Sequence, residues 1–273
     1  MAEGGRHTHL PGAERMSTVT AMILSSYALA HFIQLPGGEL SVQLPGFYVG
    51  FRFGVQELTA LVVAGMTASG ADWLLREHPH LKTSKLFEHW LLPGVTAWAI
   101  GLPLLQLPIS IIWWIGLSVA GVLVLLVLIA EYIVVDPSDL RQPPAAAGLT
   151  AVAFALFLML ATAVRYSGMR LFFLLPTLAI AVFLVSLRIL RLQKPTSWAF
   201  LDATVVTLIT VQIASALHYS PLSPVSFSLA LLGPAYGLTH FFSDLSKGEA
   251  PEKALVEPVI ILAIVWITAL LIN

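Results

Sequence analysis

Nine long apolar segments recur along the chain, and they constrain its fold more than any other feature of the sequence. Each segment approaches or exceeds the roughly 20 residues that an α-helix needs to cross about 30 Å of hydrocarbon. In lipid, backbone N–H and C=O groups must be hydrogen-bonded within the protein, and a helix achieves this within one segment. The sequence therefore predicts an all-α, polytopic membrane bundle of about nine transmembrane helices. The segments are 16–33, 55–73, 86–105, 108–135, 147–164, 171–190, 199–217, 224–242 and 254–272.

The composition agrees with this fold class and narrows the expected partners. Apolar residues make up 58% of the chain and charged residues 11%, whereas about a quarter of a soluble protein is charged. A net charge of -1 supplies no basic surface to neutralise phosphates, so we expect no nucleic-acid partner. The absence of cysteine excludes disulfides and Cys-ligated metals. The expected partner is the lipid bilayer, with a membrane-protein partner or a homo-oligomer left open.

The distribution of basic residues predicts the orientation of the bundle. Lys and Arg accumulate on the cytoplasmic side of a membrane. With the N-terminus inside, 11 of the 14 basic residues fall in inner regions, and the outer ones are Arg52, Arg165 and Arg170. We therefore expect the N-terminus inside and the C-terminus outside, in the cytoplasmic membrane of a bacterium or archaeon.

Two segments outside the main spans carry separate expectations. Residues 1–15 are polar and lack apolar periodicity, which predicts a disordered cytoplasmic tail before a single transmembrane domain at 16–273. The first apolar segment also fits a signal peptide cleaved after Ala30, and both interpretations stay open. Residues 34–54 contain Gln-Leu-Pro-Gly twice around an alternating run. This pattern predicts a short, ordered, hairpin-like outer loop.

Acidic residues in or near the spans are candidates for a substrate or ion pathway. An ionised group is costly in hydrocarbon, so intramembrane acids often mark such routes. Ordinary roles compete with this one, because Asp72 and Arg76 have the i,i+4 spacing of a local salt bridge. Asp202 is placed early in its helix, where a carboxylate complements the helix dipole. The candidate pathway residues are Glu57, Asp72, Glu131, Asp202 and Glu257.

Histidines and acids near the predicted inner leaflet allow a metal-site hypothesis. Imidazoles and carboxylates are common ligands of zinc and other divalent metals. However, the chain has no H-E-x-x-H motif, and Pro79 lies between two of the histidines. Solvated side chains at the interface are the simpler interpretation. A divalent metal is therefore expected only if the metal-site hypothesis holds. The candidate ligands are His78, His80, His89, His240 and Asp244.

Helix interruptions favour a carrier, whereas motifs for familiar chemistries are missing. Leu92-Pro93-Gly94 and Leu232-Gly233-Pro234 predict broken helices of the kind that form binding sites in secondary transporters. No phosphate-binding G-x-x-x-x-G-K-[ST] and no G-x-S-x-G nucleophile motif is present. We therefore expect a non-enzymatic protein without a cofactor, either a small-solute or lipid carrier or a structural subunit of a membrane assembly. The alternative is a membrane-embedded, metal-dependent hydrolase or transferase acting at the cytoplasmic leaflet.

Overall fold

The fold was analysed in a computed structural model. The structure describes residues 12–32, 38–44, 47–53, 55–76, 89–136, 139–193 and 199–272. Within these ranges, every regular element except one hairpin is a helix. In chain order the elements are α1 (Ala13–Phe32), β1 (Gly38–Leu44), β2 (Phe47–Phe53), α2 (Val55–Leu75), α3 (Leu91–Gln106), α4 (Ile111–Val134), α5 (Gln142–Tyr166), α6 (Leu171–Gln193), α7 (Phe200–Leu217), α8 (Pro224–Ser246), α9 (Pro251–Ala254) and α10 (Val256–Leu271).

Seven helical segments of the described chain are long and apolar enough to cross a membrane. Helix α3 is apolar but has only 16 residues, and the Ser- and Thr-rich α1 does not qualify. The structure thus supports an integral membrane protein built from apolar helices, while nine spans and their orientation stay predictions. The qualifying segments are Leu58–Leu75, Ile111–Val134, Gln142–Tyr166, Leu171–Gln193, Phe200–Leu217, Pro224–Ser246 and Pro251–Leu271.

The chain divides into two compact units, Met1–Leu149 and Thr150–Asn273. The first contains α1 to α4 and the beginning of α5, and the second contains the rest of α5 and α6 to α10. The single transmembrane domain expected over residues 16–273 stays a prediction. Most of the predicted tail lies outside the described residues, although α1 already begins at Ala13.

The hairpin occupies the segment in which the sequence alternates between apolar and polar residues. Strands β1 and β2 pair antiparallel, with Gly38 opposite Phe53 and Leu44 opposite Phe47. Residues 38–44 and 47–53 therefore form the paired strands of the hairpin expected within 34–54. Its location on the outer side of the membrane stays a prediction.

Aromatic side chains connect the helices of the first unit through backbone carbonyls. The Tyr27 hydroxyl donates to the Ala97 carbonyl at 2.5 Å, and Gly101 leaves room for the ring, since a Cβ there would lie 2.7 Å from Tyr27 Cε1. The buried Trp113 of α4 donates from Nε1 to the Leu104 carbonyl at 2.9 Å. This carbonyl belongs to the last turn of α3, where intrahelical donors are lacking.

The second unit shows why the predicted break at Leu232-Gly233-Pro234 is wrong. Helix α8 continues through Pro234 without interruption. Proline cannot donate to the carbonyl four residues earlier, which belongs to Ala230. Trp266 of α10 donates its Nε1–H to that carbonyl at 3.1 Å. A neighbouring helix thus satisfies the freed backbone group, as membrane helices require.

The other predicted break, at Leu92-Pro93-Gly94, is also not a break within a helix. Helix α3 begins at Leu91, so Pro93 lies in its first turn. A proline is tolerated there, because the first N–H groups of a helix have no intrahelical partner. The broken-helix argument for a carrier therefore loses both of its examples.

Candidate functional site

A buried histidine–glutamate pair joins α3 to α4 in the first unit. His89 Nδ1 lies 2.8 Å from Glu131 Oε2, and the two side chains are 8% and 1% exposed. His89 lies two residues before α3, and Glu131 lies in the last turn of α4. Val124 and Leu128, which precede Glu131 by seven and three residues, are buried as well. Glu131 therefore continues the core-facing stripe of its helix.

The chemistry of this pair follows from its burial. A charged group without a partner is costly away from water, so the two side chains stabilise each other in place. A proton located between Nδ1 and Oε2 keeps the contact in either arrangement, as imidazolium with carboxylate or as imidazole with carboxylic acid. Adding or removing one proton changes the charge of the pair and therefore the strength of the link between α3 and α4.

A second polar contact, between Asp72 and Arg76, is linked to this pair through Trp90. Arg76 Nε donates to Asp72 Oδ2 at 2.7 Å, as the i,i+4 spacing predicted. Trp90, which follows His89, donates from Nε1 to Asp72 Oδ1 at 3.3 Å. The Arg76 side chain is 62% exposed and that of Asp72 is 15% exposed. This contact is therefore closer to solvent than the His89–Glu131 pair.

Apolar side chains accompany both contacts. Leu75 and Tyr132 are buried against each other, and Trp90 and Val135 pack on them. Leu75 precedes Arg76, and Tyr132 follows Glu131, so the end of α2, the start of α3 and the end of α4 meet in one region. The structure thus pairs His89 with Glu131, one from each of the two sets that the sequence proposed, and Trp90 contacts Asp72 in the same region.

The second unit contains an aromatic cluster with polar tips. The rings of Tyr236 and His240 stack with centroids 4.1 Å apart, and Phe154 packs on both. The Tyr236 hydroxyl donates to Glu257 Oε1 at 3.3 Å. Asp244, one turn beyond His240, forms an ion pair with Lys247 at 2.8 Å.

The remaining candidate residues are placed as follows. Asp202 lies in the first turn of α7, where its carboxylate complements the helix dipole. Glu57 is in the first turn of α2, but its side chain lies outside the described part, as do His78 and His80 altogether. Within the described ranges, no three His, Asp or Glu side chains are grouped closely enough to hold a metal ion. The metal site stays a prediction.

Sequence reasoning missed the aromatic partners of these groups. Tyr236 precedes His240 by one helical turn, so their contact could have been found from the i,i+4 spacing. The contact of Trp90 with Asp72 joins residues that are 18 apart, across the end of α2 and the start of α3. No local pattern in the sequence indicates that contact.

The fold and the buried pair define an integral membrane protein with an ionisable contact between packed helices. A family model described as "Protein of unknown function (DUF5656)" matches residues 35–272. The chain belongs to this family, and the match includes the hairpin and every helix except α1. Comparison with curated proteins and with solved structures gave no match.

Proposed function

We propose that the protein is a membrane carrier for a small solute and that the His89–Glu131 pair binds and releases a proton during transport. The observation that supports this proposal is the burial of Glu131, whose side chain is 1% exposed and lies 2.8 Å from His89. An ionisable residue inside a membrane bundle is expensive, and such residues are typical of proton relays and ion pathways.

A purely structural link between α3 and α4 would not need ionisable groups. Replacement of a buried ion pair by well-packed apolar residues is often neutral or stabilising in other proteins. A pair of titratable groups is therefore better explained by a role in which the charge changes. In this proposal, protonation weakens the contact between the start of α3 and the end of α4, and solute binding shifts the equilibrium between the two states.

Asp72 is the second acid of the proposed route. Its side chain is more exposed than that of Glu131, and Trp90 connects it to the residue next to His89. We therefore place Asp72 between the buried pair and water. Asp202 and Glu257 belong to the second unit and are not assigned to this route.

The proposal is tested with the purified full-length protein in proteoliposomes that contain a trapped pH-sensitive dye. A panel of sugars, amino acids, organic cations and inorganic cations is added under an imposed potential, and solute-dependent proton flux is recorded. Wild type is expected to move protons with at least one solute, and Glu131→Gln and His89→Gln to abolish that flux. Asp139→Asn, which breaks a contact with Arg141 between α4 and α5, is the matched control and should retain it.

Two results would contradict the proposal. One is the absence of proton flux with every solute in the panel, which would favour the alternative of a structural subunit. The other is a Glu131→Gln variant with wild-type flux, which would show that the buried carboxylate takes no part in transport.

A further inference from the structure

The imidazole of His240 on α8 lies in the second unit without a hydrogen bond at Nε2. This nitrogen is buried, and no described residue donates to it or accepts from it. The ring is stacked on that of Tyr236, with centroids 4.1 Å apart and planes inclined by 25°. Phe154 of α5 stacks on it at 6.3 Å. His240 is thus positioned by ring contacts.

This arrangement fits the neutral form of the His240 ring. A neutral imidazole carries one hydrogen, so Nε2 can stay unprotonated while the hydrogen lies on Nδ1. A protonated ring donates from both nitrogens, and a buried cationic N–H without an acceptor is costly. Uptake of a proton by His240 therefore requires an acceptor to move to Nε2.

Two carboxylates are close enough to act on His240. The charged groups that act on the ring are Glu257 of α10 and Asp244 and Lys247 of α8. Asp244 is already paired with Lys247 at 2.8 Å. Glu257 is exposed and accepts only a longer hydrogen bond, at 3.3 Å, from the hydroxyl of Tyr236. Glu257 is therefore the carboxylate that can turn to His240 at the lower cost.

The other helices around α8 contribute different groups. Helix α5 presents the apolar ring of Phe154 to His240. An arginine side chain cannot accept a hydrogen bond, which leaves one acid in α6 and α7 as a rival to Glu257. This acid, Asp202, lies in the first turn of α7, where the helix dipole already favours its charge. The ionisable residues within α6 and α7, which also pack on α8, are Arg188, Arg191 and Asp202.

Glu257 lies where α10 packs closely on α8. The next residue, Pro258, faces Gly237, where a Cβ would lie 3.4 Å from the proline Cβ. Two turns further along α10, Trp266 is hydrogen-bonded to the backbone of α8. A turn of the Glu257 side chain toward His240 therefore changes the contact at the start of α10, while Trp266 holds the helix further along.

We infer that His240 is a proton-binding site. Uptake of a proton from water transfers Glu257 from the Tyr236 hydroxyl to Nε2 and shifts the start of α10 on α8. The carboxylate stabilises the imidazolium by a charge-assisted hydrogen bond, and the faces of Tyr236 and Phe154 stabilise it further. The inference is independent of the proposed transport function, which uses the buried pair of the first unit.

The test measures the charge of His240 and the position of α10 in the full-length protein in lipid nanodiscs. The ¹⁵N NMR spectrum of histidine-labelled protein follows the charge, and the His240 signal is the one missing from His240→Phe. The chain has no cysteine, so spin labels on Ser246→Cys and Val259→Cys, both at exposed positions, report the distance from α8 to α10. Between about pH 8 and about pH 5, where histidines titrate, we expect the signal to titrate. The distance should change with it by about 1–2 Å, the usual size of a helix shift.

Matched variants assign the change to the two groups. His240→Phe keeps a stacked ring without a titrating group, so the distance should no longer depend on pH. Glu257→Gln removes the charged acceptor and should also abolish the distance change. His218→Phe, at another histidine of the second unit, and Asp202→Asn are the controls and should retain it.

Three results would overturn the inference. The first is a His240 signal that does not titrate, or one that titrates while the distance stays fixed. The second is a distance change that persists in His240→Phe. The third is a change that persists in Glu257→Gln, and its loss in Asp202→Asn would then assign the acceptor to α7.

Discussion

Replacement of His89 by leucine tests the energetic role of the buried pair most directly. Leucine keeps much of the side-chain volume but cannot pair with the Glu131 carboxylate. The substitution therefore leaves a carboxylate without its 2.8 Å partner at the end of α4. Its effect on the free energy of unfolding measures the cost of that loss.

The expected magnitude follows from the exposure of the two side chains. Both are buried, so the small values of about 0–1 kcal/mol for surface ion pairs do not apply. Removal of one partner of a buried ion pair typically costs about 3–5 kcal/mol. We expect His89→Leu to destabilise the protein by that amount. Glu131→Gln keeps an oxygen that accepts from Nδ1, so its cost should be about 1 kcal/mol.

The double variant His89→Leu/Glu131→Leu provides the decisive comparison. It removes both ionisable groups, and apolar replacement of a buried pair is often neutral or stabilising. We therefore expect the double variant to be more stable than His89→Leu alone. Arg76→Gln is the control, and it should cost less than about 1 kcal/mol because the Arg76 side chain is 62% exposed.

The assay is reversible unfolding in mixed micelles by titration with a denaturing detergent, followed by circular dichroism. Free energies of unfolding for these four variants and for the single variant Glu131→Leu are compared with that of wild type. A cost below about 1 kcal/mol for His89→Leu would place it with surface pairs and refute the reasoning. Costs of the two leucine substitutions that simply add in the double variant would also refute it, since contacting residues should couple.

Three further substitutions test the packing with the same unfolding assay. Gly101→Ala should cost about 1–3 kcal/mol, because its Cβ would lie 2.7 Å from the anchored Tyr27 ring. Gly148→Ala should be neutral or stabilising by up to about 1 kcal/mol, because its Cβ meets nothing within 4 Å and alanine favours the helix. Equal costs for Gly101→Ala and Gly148→Ala would contradict the packing at Tyr27. Trp266→Phe should cost about 1 kcal/mol, since it removes the donor to the Ala230 carbonyl, and an unchanged stability would show that another group satisfies that carbonyl.

Much of the fold was predictable because hydrophobic length is a local property. Segments such as 108–135 and 171–190 correspond to α4 and α6 within a few residues. Helices α1 and α3 differ from this pattern, because their composition or length falls short of a full span.

The candidate site was less predictable because its contacts join distant parts of the chain. His89 and Glu131 are 42 residues apart, and their contact depends on how α3 and α4 pack. The core-facing stripe of α4 would have placed Glu131 inward, but α4 is apolar on every side and shows no clear polar face. The same reason explains why the continuity of α8 through Pro234 was not predicted. The donor to the Ala230 carbonyl, which Pro234 leaves without an N–H, belongs to another helix.

The sequence separation of ion pairs also helps to distinguish structural from functional charges. Among the described contacts, Asp72–Arg76, Asp139–Arg141 and Asp244–Lys247 join residues two to four apart, and the basic side chain of each is at least 35% exposed. Such pairs follow from local geometry and contribute little to stability. The His89–Glu131 contact instead requires two helix ends to meet and two titratable groups to leave water. Disruption of the Asp139 or Asp244 pair should therefore leave proton flux intact, and disruption of the buried pair should abolish it.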